Sequence, residues 1–146
     1  MMFGLMAGAV AQRGAAAERI ETFKVAFFTQ KLQLTTEEAQ AFWPLYNEYE
    51  RKREALRKEM KPSTRPELMS DEELRAHLYK QLDTEAQLVA LRREYFEKFM
   101  EVLPLRKVAM IPQAEQQFKR KLLEELRNRQ KADRPQRDRP NPRSRF

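Results

Sequence analysis

The sequence predicts an all-α protein: four helices in an elongated, bent, hairpin-like arrangement that pairs as a dimer. Three observations carry this. The 146 residues include only 3 Gly, so the residue that most readily opens turns is scarce. Hydrophobic residues make up 41% and charged residues 35%, with much Glu, Lys, Arg, Leu and Gln, a composition that suits helices with wet outer faces. Apolar side chains then recur at spacings of three and four through four segments, parted by proline-containing breaks. A chain of this length makes one domain.

Taken in order, residues 1–11 end in Ala9-Val10-Ala11, a small-x-small pattern like the cleavage site of a secretory signal, although no basic stretch precedes the short apolar run. They read as a signal-peptide remnant left by a start placed too late, against the alternative of a merely loose N-terminus. Export to the periplasm is expected, in a mature form beginning near Gln12, with residues 12–17 flexible. The helical domain is expected over residues 18–130. Its first helix, residues 18–32, places Ile20, Phe23, Phe27 and Phe28 on one face, with Lys24, Gln30 and Lys31 outside.

Thr35 with Glu38 three positions later forms a capping box that opens the second helix, which runs to about Lys61 and ends at Pro62 and Pro66. Its apolar line is Phe42, Tyr46, Tyr49, Leu56 and Met60, with Arg53 admitted through its aliphatic stem. Ser70-Asp71-Glu72-Glu73 opens the third and longest helix, to about Leu103. There Leu82, Val89, Phe96 and Leu103 recur every seventh residue, and Leu88, Leu91, Tyr95, Phe99 and Val102 widen the face. Pro104 breaks the chain before a fourth helix, from about Leu105 to Arg129, with Val108, Ile111, Phe118, Leu122 and Leu126 inward.

Pro44 and Pro112 each fall within a helix and are expected to bend it, since each removes a backbone donor and crowds the preceding turn. A helix restarting at Pro112 is the alternative. Trp43-Pro44 and Ile111-Pro112 suggest a weak internal repeat. The second and third helices would be about 40 and 50 Å long. Apolar faces of that length invite either an elongated monomer with exposed surface or a homodimer, and the homodimer is the expectation.

The net charge of +7 is uneven: residues 131–146 hold six Lys or Arg against two Asp, leaving the body only mildly basic. That tail, rich in Pro and Arg, is expected to be disordered. No cysteine is present, which excludes disulfides, thiolate metal sites and a cysteine nucleophile. No segment reaches the ~18 apolar residues that span a bilayer, so stable membrane insertion is not expected.

Catalytic chemistry finds no support. His77 is the single histidine, and the pairs Glu37/Glu38, Glu72/Glu73 and Glu124/Glu125 sit where helix dipoles or ion pairs account for them. No Gly-rich phosphate loop, nucleophile elbow or metal-ligand spacing occurs. The chain is read as a non-enzyme with no catalytic, cofactor-binding or metal residues. Nucleic-acid binding is not expected, because the body lacks a basic stripe with a recognition motif.

Binding is where the residues point. Phe27 and Phe28 are adjacent on one helix, as are Phe42 and Trp43, so neither pair can face wholly inward. Together with Tyr46 and Tyr49 they are either core or accessible adhesive surface, and about half are expected in each role. Arg53 and Arg57 belong to a basic run interleaved with Glu, either an ordinary ion-paired face or a field that attracts acidic or unfolded chains. The candidate partner-binding set is therefore Phe27, Phe28, Phe42, Trp43, Tyr46, Tyr49, Arg53 and Arg57.

The stretch Leu34-Thr35-Thr36-Glu37-Glu38-Ala39-Gln40, followed by Phe42-Trp43-Pro44-Leu45-Tyr46, resembles the Spy/CpxP-type family of exported LTxxQ-motif proteins. Val102-Leu103-Pro104 through Ala109 and Ala114 through Arg120 extend the similarity to a branch of that family, over roughly residues 18–127. The motif residues carried across are Leu34, Thr35, Glu38, Gln40, Pro44, Leu103 and Pro104. The resemblance implies an elongated, often dimeric periplasmic protein. Family members include ATP-independent chaperones that shield unfolding proteins, inhibitors of envelope-stress kinases, and heavy-metal sensors. Here the second LTxxQ element, expected near Leu103, reads Leu103-Pro104-Leu105-Arg106-Lys107, and the His-rich set of the metal sensors is absent. The expected function is chaperone-like or adaptor binding of unfolded or partner proteins; the alternative is a sensor or regulator, metal- or sigma-factor-linked, acting by protein contact.

Overall fold

The computed structural model describes residues 6–62 and 64–134, with side chains from residue 14 onward. Among them are four α-helices, α1 (Met6–Leu32), α2 (Thr36–Glu59), α3 (Asp71–Val102) and α4 (Leu105–Ala132), a single 3₁₀ turn at Pro66–Leu68, and no strand. The all-α expectation holds. α1 starts earlier than the apolar pattern indicated and takes in residues 12–17, expected to be flexible. Ala15, Ala16 and Ala17 carry the highest helix propensity and extend the helix although they bury little. Of the expected signal remnant, residues 1–5 lie outside the described residues, and 6–11 are the first turns of α1. The tail from 135 on also lies outside them; α4 itself runs to Ala132, with Asp133 as its C-cap.

Each joint has a local cause. α1 ends in a Schellman motif: the Leu34 N–H donates to the Thr29 carbonyl at 3.0 Å and the Gln33 N–H to the Gln30 carbonyl at 3.3 Å. The motif requires a left-handed residue, and Gln33 supplies it at φ 50. Thr35 then caps α2, its Oγ1 accepting from the Glu38 N–H at 3.1 Å. The reciprocal half of the expected capping box does not form there, because the Glu38 carboxylate is engaged with α4. At α3 the box is complete, with Ser70 and Glu73 exchanging both bonds. Pro44 and Pro112 lie inside continuous helices, so α4 does not restart at Pro112.

The main pairings are α2 with α3 and α1 with α4, with α3 also touching α4. Phe42 meets Phe99 at 5.2 Å between ring centroids and Tyr49 meets Tyr95 at 5.3 Å, so α2 and α3 run antiparallel. Phe28 of α1 stands between Tyr46 of α2, at 5.3 Å, and Phe118 of α4, at 6.1 Å. The core gathers Phe28, Leu32, Phe42, Tyr46, Tyr49, Tyr95, Phe99, Leu103, Val108, Ile111 and Ala114. Aromatic rings dominate it, in tilted and edge-on arrangements that suit their quadrupoles.

Two stripes differ from the sequence expectation. On α3 the inward line is Thr84, Leu88, Leu91, Tyr95 and Phe99, while Leu82 and Val89 of the heptad series stand in solvent. The α-helix repeats at 3.6 residues, so a seven-residue series drifts off a face that a straight neighbour covers. On α4, Val108, Ile111 and Ala114 are buried, Phe118 is half-buried, and Leu126 is exposed.

Candidate partner-binding surface

Most residues predicted to bind a partner are structural. Phe28, Phe42, Tyr46 and Tyr49 are each at most 2% exposed, and this corrects their assignment as adhesive surface. They fill the seam where α1, α2, α3 and α4 meet, and a partner would have to separate the helices to reach them. Trp43 is half-buried, its ring edge-on to Phe28, Phe42 and Tyr46, and its Nε1 is buried without a partner among the described residues. Phe27 is half-buried and packs on Phe118 at 5.8 Å. The adjacent-pair argument survives in that limited form: in each pair one ring is core and its neighbour reaches the edge.

Arg53 is also corrected. Its guanidinium lies 4.7 Å from the Tyr49 ring centroid, donates to Glu115 at 2.6 Å, and stands 3.6 Å from Glu50. Burial opposes its charge, yet the charge and hydrogen bond of Glu115, with Tyr46 and Tyr49 beside them, together hold the pKa above the ordinary arginine value. Glu50 in turn accepts from Lys24, which also donates to Glu21 at 2.8 Å. Lys24 was expected outside but is 5% exposed. Burial alone would lower its pKa; the bonds and charges of Glu21 and Glu50 together raise it. The neighbouring Tyr46 phenol is pushed well up, first by burial and then by the charges of Glu115 and Glu50. The row Glu21, Lys24, Glu50, Arg53, Glu115 thus ties α1, α2 and α4 by alternating charge. Sequence reasoning missed it, although a signal existed: Lys24 lies between Ile20 and Phe28, and Glu115 between Ile111 and Phe118, so both are charged residues on an apolar register. Arg57 is exposed and makes no ion pair among the described residues.

The motif residues meet at the two helix corners. Leu34 packs on the core, Gln40 and Pro44 are exposed, and Leu103 is buried as the C-cap of α3, with Pro104 at the N-cap of α4. Glu38 and Lys107 each hold the third position of their helix, and they pair: Lys107 Nζ donates to both Glu38 oxygens, at 3.1 and 2.8 Å, and to the Gln33 carbonyl at 2.7 Å. Lys107 therefore satisfies an orphan acceptor at the C-terminal end of α1, where a cation is favoured. Glu38 and Lys107 carry opposite charges, so the start of α2 and the start of α4 are complementary where they meet.

Among the described residues, an apolar row on α3 and a cleft beside α1 are open to solvent. On the N-terminal and middle turns of α3, Leu78, Tyr79, Leu82 and Val89 are 58%, 63%, 60% and 61% exposed. Between α1 and α4 lies a cleft of about 720 Å³ whose lining includes Phe27, Lys31, Met110, Gln117, Arg120 and Lys121. Among the described residues no three His, Asp or Glu side chains converge as metal ligands, and no helix is long and apolar enough to cross a membrane. Comparison of the chain with models of known families, with curated proteins and with solved structures returned no match in any of the three.

Proposed function

We propose that this chain is an exported, ATP-independent chaperone-like or envelope-stress adaptor protein of the Spy/CpxP type, which binds unfolding or partner proteins and performs no chemistry on them. The observation that carries the reading is the apolar row Leu78, Leu82 and Val89 on α3, with Tyr79 beside it, all more than half exposed on an otherwise charged helix. Apolar surface of this kind marks association with another protein. The row recurs at helical spacing over about three turns. An α3 packed antiparallel on a second α3 across a twofold axis would cover both rows, and this is the homodimer we propose, built as an elongated, bent hairpin of helices. The residues assigned to contact move accordingly from the aromatic seam to this row, which meets the second copy, and to the margins of the α1–α4 cleft, which stay open to a client.

The test is suppression of aggregation of an unfolding client without nucleotide. Substoichiometric protein should hold the client in solution, and Leu82→Ser with Val89→Ser should lower both that effect and the mass measured by light scattering, with helix content unchanged. No suppression at several-fold molar excess would sink the reading. A single saturable partner in a pull-down, with no effect on unfolding clients, would replace it with a dedicated signalling contact.

A further inference from the structure

We infer that the cleft between α1 and α4 is the seat for an extended acidic segment of a bound polypeptide. The inference rests on the partner-binding reading above and names the chemistry that one of its surfaces accepts.

Three features of the cleft point the same way. Lys31, Arg120 and Lys121 are exposed along it and make no ion pair among the described residues, while Glu124 is the one carboxylate on its lining. This contrasts with the far side of α1, where every buried charge is matched. Unmatched cations in a concave site raise the local concentration of anions and speed their arrival. Phe27 and Met110 give the cleft an apolar contribution, which a bare phosphate or a nucleic-acid backbone would not use. Gln30 and Gln33 are exposed on the lining and offer side-chain amides that a polypeptide backbone can meet with both donors and acceptors, whereas a phosphodiester or a fatty acid brings no N–H donor.

The chain's own basic tail is an unsuitable occupant. Residues 131–146 carry six Lys or Arg against two Asp and would be repelled by the same three cations. The complementary segment comes from another protein and bears Asp or Glu beside aliphatic or aromatic residues.

The experiment uses the full chain and a fluorescently labelled short peptide of alternating Glu and Leu, with its Lys-for-Glu counterpart as control, read by anisotropy. Binding of the acidic peptide is expected to exceed that of the basic one and to weaken with added salt. Arg120→Glu with Lys121→Glu, both on the exposed side of α4, should reduce acidic-peptide binding about tenfold at low salt, with circular dichroism unchanged. Phe27→Ser should weaken it without altering the salt dependence. Equal binding of the two peptides overturns the inference. So does acidic-peptide binding that survives both charge reversals, or charge reversals that abolish binding of a duplex oligonucleotide and leave peptide binding intact. Suppression of client aggregation with no acidic-peptide binding removes the cleft assignment and leaves the chaperone-like reading standing. Peptide binding at the cleft with no suppression does the reverse.

Discussion

Replacing Phe42 with Ala separates a core role from a binding role most directly. The ring is fully buried and lies 5.1 to 5.2 Å, centroid to centroid, from Trp43, Tyr46 and Phe99. Removing it loses about 1.5–3 kcal/mol of apolar transfer free energy. Each of the three aromatic contacts adds some fraction of about 0.5–1.5 kcal/mol. Rigid neighbours from two helices cannot collapse fully into the gap, so a cavity cost follows, and the total falls at about 3–5 kcal/mol. For a domain holding roughly 5–15 kcal/mol, that is about a fifth of its stability at the least. Urea unfolding followed at 222 nm measures it, with Leu126→Ala as the exposed control, expected within about 0.5 kcal/mol of wild type. A Phe42→Ala loss below about 1.5 kcal/mol, or one equal to that of Leu126→Ala, would refute the placement of this ring at the centre of the core. If partner binding also falls in Phe42→Ala, it should recover under conditions that restore the fold, since the ring itself is out of a partner's reach.

Three further outcomes follow from the joints and the ion row. Lys107→Ala and Glu38→Ala should each destabilise the protein, and the double variant should show a coupling of about 1 kcal/mol, because the bond joins two helix corners and is only partly screened; additive losses would mean the pair is idle. Gln33→Gly should raise stability by about 0.5–1 kcal/mol by relieving the left-handed backbone, and Gln33→Val should lower it, so equal midpoints for the two would exclude a positive φ in solution. Stability should fall as pH rises above about 10. Lys24 and Tyr46 both have raised folded pKa values, so the folded state keeps protons that the unfolded chain releases there; their contribution is complete below the unfolded values and is lost upward. Thermal midpoints that stay level from pH 9 to 11 would count against the buried placement of both groups.

The helices were legible because their causes are local. Thr35 and Ser70 before acidic first turns, Pro62 and Pro104 as stops, and the three-and-four spacing around Phe42, Tyr46 and Tyr49 all act within a few residues along the chain. The same locality explains the one early start, since the alanines of α1 favour helix without displaying an apolar face. What lay beyond reach was the partner of each face. Tyr46 and Phe42 look equally able to bind a client or fill a core until Phe28 and Phe99 arrive from other helices. Lys24 and Glu115 look like solvent charges until Glu50 and Arg53 meet them across α2. Leu82 and Val89 look inward on a heptad count, and only the line that α2 takes along α3 turns them out. The candidate surfaces were hidden for the same reason, since a cleft between α1 and α4 exists only when distant segments pack. By itself the sequence determined which segments are helical and, the start of α1 excepted, where the helices begin and end, through caps, prolines and periodicity. Tertiary structure alone decided which aromatic rings are sealed, which charges are matched, and which side chains remain for a partner, because burial and pairing belong to two helices at once.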